Sequence, residues 1–296
     1  MLISVVIPVY NRPQELARAI RSVLSQTFQE FEILVVDDFS EADLKPVTES
    51  FHDQRLRYFR LPAKGNANVC RNKGIREAHG ELVAMLDSDD EWLPQHLENK
   101  IKTLREKNAD GVFGSCYVDD GTGRTEKISR PLFKEEKMIN FLLSGGVAPT
   151  PTHVYKTSCA RQVLWDEDLK RHQDWDFSVR FADRFSFVCD PSITCVVHWK
   201  KGEKRSEHAP SLIRFIESQR KDIQPGLYIR YYTMLYPSLS YSNDPSGELR
   251  RHCRSALRRM VSHMSLVDYL SAFGAGAGPA KRLLLRLDFL RRVLKK

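Results

Sequence analysis

The chain has 296 residues, 42% hydrophobic and 28% charged, with 15 Gly and 14 Pro. That mix can bury a core and excludes global disorder and collagen-like repetition. The net charge of +8 is uneven, because residues 246–296 hold 12 Lys/Arg against 3 Asp/Glu while residues 1–245 hold 34 against 35. A nearly neutral body offers no general nucleic-acid surface, whereas the basic tail calls for an anionic partner. No window approaches 18 continuous apolar residues, so no spanning helix is expected. The first eight residues carry neither a basic leader nor a small-residue cleavage site, unlike a signal peptide. Six scattered cysteines without a CxxC pair fit reduced, cytosolic thiols.

Residues 2–9 form a Val/Ile-rich run stopped by Tyr10-Asn11, the pattern of a buried strand. Residues 14–26 place Leu16, Ala19, Ile20, Val23 and Leu24 on one helical stripe. A second buried strand at 31–36 ends in Asp37-Asp38, and 55–60 reads as a third strand. A helix over 68–79 is expected to stop at Gly80, before a strand at 82–86 that ends in Asp87-Ser88-Asp89-Asp90. Pro94 opens a helix to about Lys107, and 111–118 is strand-like again. Such alternation with short connections predicts an α/β fold of three layers, a mostly parallel sheet with helices on both faces. From 125 to 200 the pattern is less regular, with a Gly/Pro loop at 144–152 and helices expected after Pro131 and Asp168. Residues 248–273 read as a basic helix, followed by a small-residue hinge at 274–279 and a terminal helix at 280–296. No internal repeat or long heptad run is present.

Ligands of such sheets collect beyond the carboxyl ends of the strands, and here Asn11, Asp37-Asp38 and residues 87–90 converge there. Three carboxylates in four residues repel one another, which favours proton uptake or a bound cation; a solvated Asp/Ser turn is the plainer alternative. Asp38 can meet a base edge or ribose, or simply belong to a turn capped by Ser40. Neither GxGxxG after the first strand nor GxxxxGK[ST] occurs, so any nucleotide is held by side chains and metal. Asp174 opens a helical stretch, where it is either a dipole-favoured first-turn residue or a general base. His172 and His198 have no tight metal-ligand spacing, and Cys189 and Cys195 read as small hydrophobes.

Together, SVVIPVYNRPQELARAIRSVLSQTFQEFEILVVDDFS at 4–40, CRNKGIREAHGELVAMLDSDDEWLP at 70–94 and HQDWDFSVRFA at 172–182 resemble the family 2 inverting glycosyltransferases. The resemblance implies the A-type nucleotide-sugar-binding fold and a role in bacterial surface polysaccharide or lipopolysaccharide synthesis. It implies that Pro8, Tyr10 and Asn11 line the nucleotide pocket, with Asp38 on the base and Asp37 in support. It further implies that Asp87 lies near the sugar or ribose, that Asp89 meets a Mg²⁺ or Mn²⁺ ion on the diphosphate, and that Lys64 reaches the diphosphate. Asp174 would be the catalytic base, preceded by Gln173 where the family often has Glu. Arg71 and Asn72 would shape the pocket, and His198 would approach the pyrophosphate.

These expectations divide the chain at 210. Residues 1–118 form a nucleotide-binding half and 119–210 an acceptor-side half of a catalytic domain, with a helical C-terminal extension at 211–296. In 280–296, Leu283, Leu287, Leu290 and Leu294 share one helical face within a surround of seven basic groups. That pattern suits an anionic membrane surface, and docking on the protein itself is the alternative. The expected partners are a nucleotide-sugar donor (UDP-linked), a glycan or lipid-diphosphate-linked saccharide acceptor and the cytoplasmic membrane's inner face, without nucleic acid. A nucleotidyl- or phosphosugar transferase on the same fold, or a non-catalytic membrane-associated scaffold, are the competing readings.

Overall fold

A computed structural model describes residues 1–199, 209–235, 244 and 246–261. In chain order, β1 (Ile3–Val9) is followed by α1 (Pro13–Leu24), β2 (Phe31–Asp37), the short α2 (Lys45–Glu49) and β3 (Leu56–Arg60). Then come α3 (Ala67–Glu77), β4 (Leu82–Met85), β5 (Glu91–Trp92), α4 (His96–Glu106), β6 (Gly111–Asp119) and β7 (Arg124–Lys127). After α5 (Met138–Leu143) lie β8 (Val154–Lys156), α6 (Thr157–Val163), α7 (Gln173–Ala182) and β9 (Phe187–His198). Three further helices follow, α8 (Ala209–Ser218), α9 (Pro225–Leu235) and α10 (Glu248–Val261).

The strands make one sheet in the order β3-β2-β1-β4-β8-β6-β9-β5, with β7 on β6. β3, β2, β1 and β4 are mutually parallel, as are β6 and β9, while β8, β5 and β7 run antiparallel to their neighbours. All seven residues of β1 and of β2 are buried, as parallel strands covered on both faces must be. The period-2 alternation sorts them between two helix layers. Ile3, Val5 and Ile7 of β1 and Ile33 and Val35 of β2 join Leu16, Ile20 and Val23 of α1 and Leu97 and Ile101 of α4 in the main core. Val36 faces the other way, toward Cys70 of α3. This is the expected three-layer α/β/α arrangement. β4 ends at Met85 opposite Val6, so Pro8, which cannot donate to a ladder, lies beyond that pairing.

One local expectation needs revision, and two further features lay outside the sequence reading. The helix expected over 68–79 starts at Ala67, where the Asn66 side chain caps the N–H groups of Asn68 and Val69, and it ends at Glu77. Gly80 does not terminate it; a Cβ at Gly80 would stand 2.7 Å from the Leu2 carbonyl oxygen and from the Ser4 nitrogen, so glycine allows a close backbone approach to β1. β8 and α6, at 154–163, escaped the sequence reading because each is under eight residues long. β9 is a twelve-residue strand that contains Pro191, tolerated because the pairing with β6 skips from Asp190 to Ile193 there.

The chain forms two compact units. One comprises residues 1–138, 145–169 and 173–203, and contains the sheet. The other comprises 139–144, 170–172 and 204–296. Within the second, Asn140 exchanges hydrogen bonds with the Asp222 carbonyl and the Gln224 N–H, both at 2.8 Å. Glu217 of α8 accepts from Tyr228 at 2.6 Å and from Tyr232, and pairs with His252 of α10 at 3.3 Å. All six cysteines are free and buried. No helix among the described residues is long and apolar enough to cross a membrane. The end of the expected basic helix, the hinge at 274–279 and the helix at 280–296 lie outside the described residues.

Gly74 sits inside α3 against β1, where a Cβ would come within 2.3 Å of a Val6 methyl carbon. Gly→Ala in a helix interior ordinarily stabilises by about 0.5–1 kcal/mol. Here the clash should reverse the sign, with Gly74→Ala destabilising by about 1–3 kcal/mol in urea titrations. Adding Val6→Ala should recover part of the loss, and a Gly74→Ala protein as stable as the parent would show that the contact yields freely.

Candidate active site

The carboxyl ends of β1 and β2 are knitted by short polar contacts. Asn11 takes a left-handed backbone (φ 51°), which Asn tolerates better than most residues. Its N–H donates to Ser40 Oγ at 2.9 Å, and its side-chain oxygen accepts from the Glu41 N–H at 2.9 Å. Asp37, fully buried, accepts from the Ser40 N–H at 3.0 Å and from Tyr58 Oη at 2.7 Å. Its hydrogen bonds hold the strand end together. Asp38 accepts from the Gly65 N–H at 2.7 Å; burial pushes its carboxyl up, while that N–H and the Lys64 charge pull it down. Lys64 Nζ stands 3.2 Å above the centroid of the Tyr10 ring. Tyr10, Asp38 and Lys64 therefore lie together beside the end of β1, next to Pro8 and Asn11.

The acidic turn after β4 is balanced by arginines. Arg71 Nη2 donates to Asp87 Oδ1 at 2.6 Å. Arg12 pairs with Asp89 Oδ2, and Arg18 donates to the Asp89 carbonyl. Burial and the Asp87 charge nonetheless push the Asp89 carboxyl up, with Arg12 opposing them. Asp90 is buried more deeply and is raised further by desolvation and its two acidic neighbours, although it accepts the His198 N–H at 2.8 Å. The His198 ring itself turns to Glu91, at 3.1 Å. Among the described residues no group of three or more His, Cys, Asp or Glu side chains is arranged to hold a metal ion. Arg71 and Arg12 each engage one carboxylate oxygen, and burial, ahead of the Asp87 charge, holds the Asp89 carboxyl up. Carboxylate oxygens are the donor type of a hard divalent ion such as Mg²⁺, whose shell phosphate oxygens would have to complete, since the described residues form no cage for it.

α7 brings the remaining candidates. Asp174 lies in its first turn; desolvation raises its carboxyl to about 6, the Trp175 N–H and Arg71 pull it down, and Asp87 pushes it up. Gln173 Oε1 accepts from Arg71 Nη1 at 3.3 Å, and Gln173 Nε2 donates to the Leu169 carbonyl at 3.0 Å. Asp176 is committed to Arg180 at 2.5 Å, which removes it as a rival base. Asn72 bonds both the N–H and the carbonyl of Trp165, a bracing role. Arg71 also stacks its guanidinium 4.5 Å from the Trp165 ring and donates to Asn68 Oδ1 at 2.9 Å. One buried cation thus touches the acidic turn and the start of α7.

The structure brings Tyr10, Asp38 and Lys64 together at one part of the rim. Asp87, Gln173 and Asp174 are gathered around Arg71 at another, Asp89 lies beside Asp87 on Arg12, and His198 contributes its backbone N–H to the acidic turn. Sequence reasoning missed Arg12 and Arg18 as partners of Asp89. Their only signal is position, since Arg12 follows the strand-end Asn11 and Arg18 falls on the first helix.

Residues 4–164 match the sequence model described as Glycosyl transferase family 2. The chain is similar to amylovoran biosynthesis glycosyltransferase AmsB of Erwinia amylovora, 29% identical over 196 residues, covering 62% of this chain and 64% of that protein. This chain therefore spans less than two thirds of that relative's length. The crystal structure of Staphylococcus aureus TarS 1-349 in complex with UDP-GlcNAc superimposes with a TM-score of 0.64 at 20% identity, covering 100% of this chain and 91% of that one. Mannosyltransferase PcManGT from Pyrobaculum calidifontis, in complex with GDP-Man and Mn²⁺, gives a TM-score of 0.59 at 18% identity, covering 98% and 80%. At these identities the structural likenesses speak for the fold.

Proposed function

The chain belongs to glycosyl transferase family 2, and on that premise we propose that it is an inverting, metal-dependent transferase. It moves a sugar from a nucleotide sugar, UDP-linked, to a hydroxyl of a glycan or lipid-diphosphate-linked saccharide in bacterial surface-polysaccharide synthesis. The observation that carries this reading is the buried Arg71, which joins Asp87 of the acidic turn to Gln173 beside Asp174. A donor-side acid and a candidate base that share one cation belong to one site.

Tyr10 and Asp38, with Pro8 and Asn11, hold the nucleoside, and Lys64 reaches toward the diphosphate. Asp87, oriented by Arg71, faces the sugar or ribose, and Asp89 would hold Mg²⁺ or Mn²⁺. When bound with the donor's diphosphate, the ion supplies positive charge against the negative charge that develops on the leaving group. Asp174 accepts the proton of the acceptor hydroxyl. The hydroxyl oxygen bonds to the anomeric carbon as the carbon–phosphate-oxygen bond breaks on the opposite face. One displacement inverts the configuration, so an α-linked donor gives a β-linked product. A scaffold would have no use for a carboxylate raised to about 6 beside an acidic turn. The leucine-faced basic sequence at 280–296 supports an anionic, cytoplasmic membrane surface as the place where the acceptor is met.

The function is tested by screening nucleotide sugars for nucleoside diphosphate release with a lipid-diphosphate saccharide in anionic or neutral vesicles, anionic vesicles giving the faster reaction. Because Asp174 must be ionised to accept a proton and its carboxyl is raised to about 6, kcat/KM should climb with pH below about 6 and level off above it. Asp174→Asn should keep donor binding and lose at least about 10²-fold in turnover; a flat profile between pH 5 and 7 with an active Asn variant would place the base elsewhere. Asp89→Ala should remove the Mn²⁺-dependent part of nucleoside diphosphate binding in calorimetry and leave the circular dichroism spectrum unchanged. Full wild-type activity in excess EDTA would contradict the metal role.

A further inference from the structure

Within the sheet unit, β1 and β2 stay side by side past their last paired residues, Val9 and Asp37. The Asp38 N–H donates to the Val9 carbonyl at 2.8 Å, and further along the Asn11 N–H donates to Ser40 Oγ at 2.9 Å. Tyr10 on one strand end and Phe39 on the other stand between these two cross-links, next to Asp38. Each ring carries a cation. Lys64 Nζ lies 3.2 Å from the Tyr10 centroid, and the Arg60 guanidinium lies 4.9 Å from that of Phe39.

Phe39 breaks two rules at once. Its φ of 61° puts a bulky side chain in the left-handed region, where glycine and asparagine fit and an aromatic residue is an outlier. The neighbouring backbone enforces that conformation: Asp38 is fixed to Val9, the Ser40 N–H donates to Asp37 Oδ1 at 3.0 Å, and the Ser40 carbonyl accepts from Arg60 Nη2 at 2.6 Å. Burial of the ring could offset such strain, yet Phe39 is 46% exposed. Glycine would remove the strain altogether. An exposed, strained aromatic residue beside a carboxylate therefore calls for a ligand. A flat heterocycle meets both groups, since its face suits the ring and its polar edge suits Asp38.

We propose that Phe39 is a further donor-binding residue, its ring packing on the face of the nucleobase whose edge meets Asp38. This rests on the reading of Tyr10 and Asp38 as the nucleoside pocket. Every base has a π face, so Phe39 contributes affinity and Asp38 the choice of base. The plainer role for the ring is to shield the ion pair between Arg60 and Asp37, 3.7 Å apart. The two roles differ in what deletion of the ring does.

Phe39→Gly and Phe39→Asn both accept the left-handed backbone and remove the ring, whereas Phe39→Tyr keeps it. UMP and ribose 5-phosphate differ by the base alone. In calorimetry, the Gly and Asn variants should raise the Kd for UMP by about 5- to 50-fold and change that for ribose 5-phosphate by less than about twofold. Phe39→Tyr should stay within about threefold of the parent for both probes. The urea midpoint of Phe39→Gly should equal or exceed that of the parent, because the strain is gone. Should one ring-deleted variant fold poorly, the other gives the readout. Unchanged UMP affinity in the ring-deleted variants, or an equal loss for both probes, would overturn the proposal. Normal UMP binding by Phe39→Gly beside its loss in Asp38→Ala overturns this inference alone. A parent protein that binds UMP no better than ribose 5-phosphate overturns the nucleoside pocket, and the inference with it.

Discussion

A single buried guanidinium organises the rim of this sheet. Arg71 is 5% exposed and donates to Asp87, Asn68 and Gln173 while lying against the face of Trp165. A charge placed there without partners would cost several kcal/mol by desolvation, so the groups around it are not interchangeable. Asp87 neutralises it through Nη2, Asn68 and Gln173 accept from Nη1, Trp165 supplies a π face, and only the buried Nε is left without a hydrogen-bond partner. Asn68 then donates to the Asp166 carbonyl, and Asn72 brackets Trp165, so the loop leading to α7 is referenced to α3. α3 in turn is pressed onto β1 at Gly74. Position passes from the central strand to the proposed base through an unbroken series of packed or hydrogen-bonded groups.

The same rim concentrates charges of both signs. Asp87, Asp89 and Asp90 share one turn, and the last two are pushed up by burial and by the Asp87 charge, Asp90 by that of Asp89 as well. Arg12, Arg18 and Arg71 offset that repulsion in the free protein. Under the proposed function, a diphosphate with its divalent ion would bring charges of both signs to a place that already holds both. Asp174 stands slightly apart, desolvated but within the field of Arg71 and Asp87. Burial raises its carboxyl to about 6 and pushes up those of Asp89 and Asp90 as well, so desolvation is common to the acidic turn and the proposed base.

Much of this was legible in the sequence where periodicity is strong. β1, α1, β2, β3, β4, α4 and β6 fall within about two residues of their expected places, because long apolar runs and helical stripes leave little choice. Acid doublets at strand ends are equally visible, and the order of the three motifs announced the family. What stayed hidden depends on distant partners. Nothing local says that Arg12 meets Asp89, 77 residues away, or that Asp37 is spent on Ser40 and Tyr58 while Asp38 stays at the rim. The short β8 and α6 carry too few residues to show a period. The left-handed backbone of His172 and its pairing with Tyr231, 59 residues away, were equally opaque, since no turn residue signals them.

The central claim is that Arg71 makes the acidic turn and the start of α7 one site. It is tested most directly by measuring donor affinity and single-turnover transfer for Arg71→Gln, which retains hydrogen bonding and removes the charge. The account predicts that both fall by at least about tenfold, since the residue serves both groups at once and each tenfold corresponds to about 1.4 kcal/mol. Unchanged transfer from a protein that binds donor normally would contradict it.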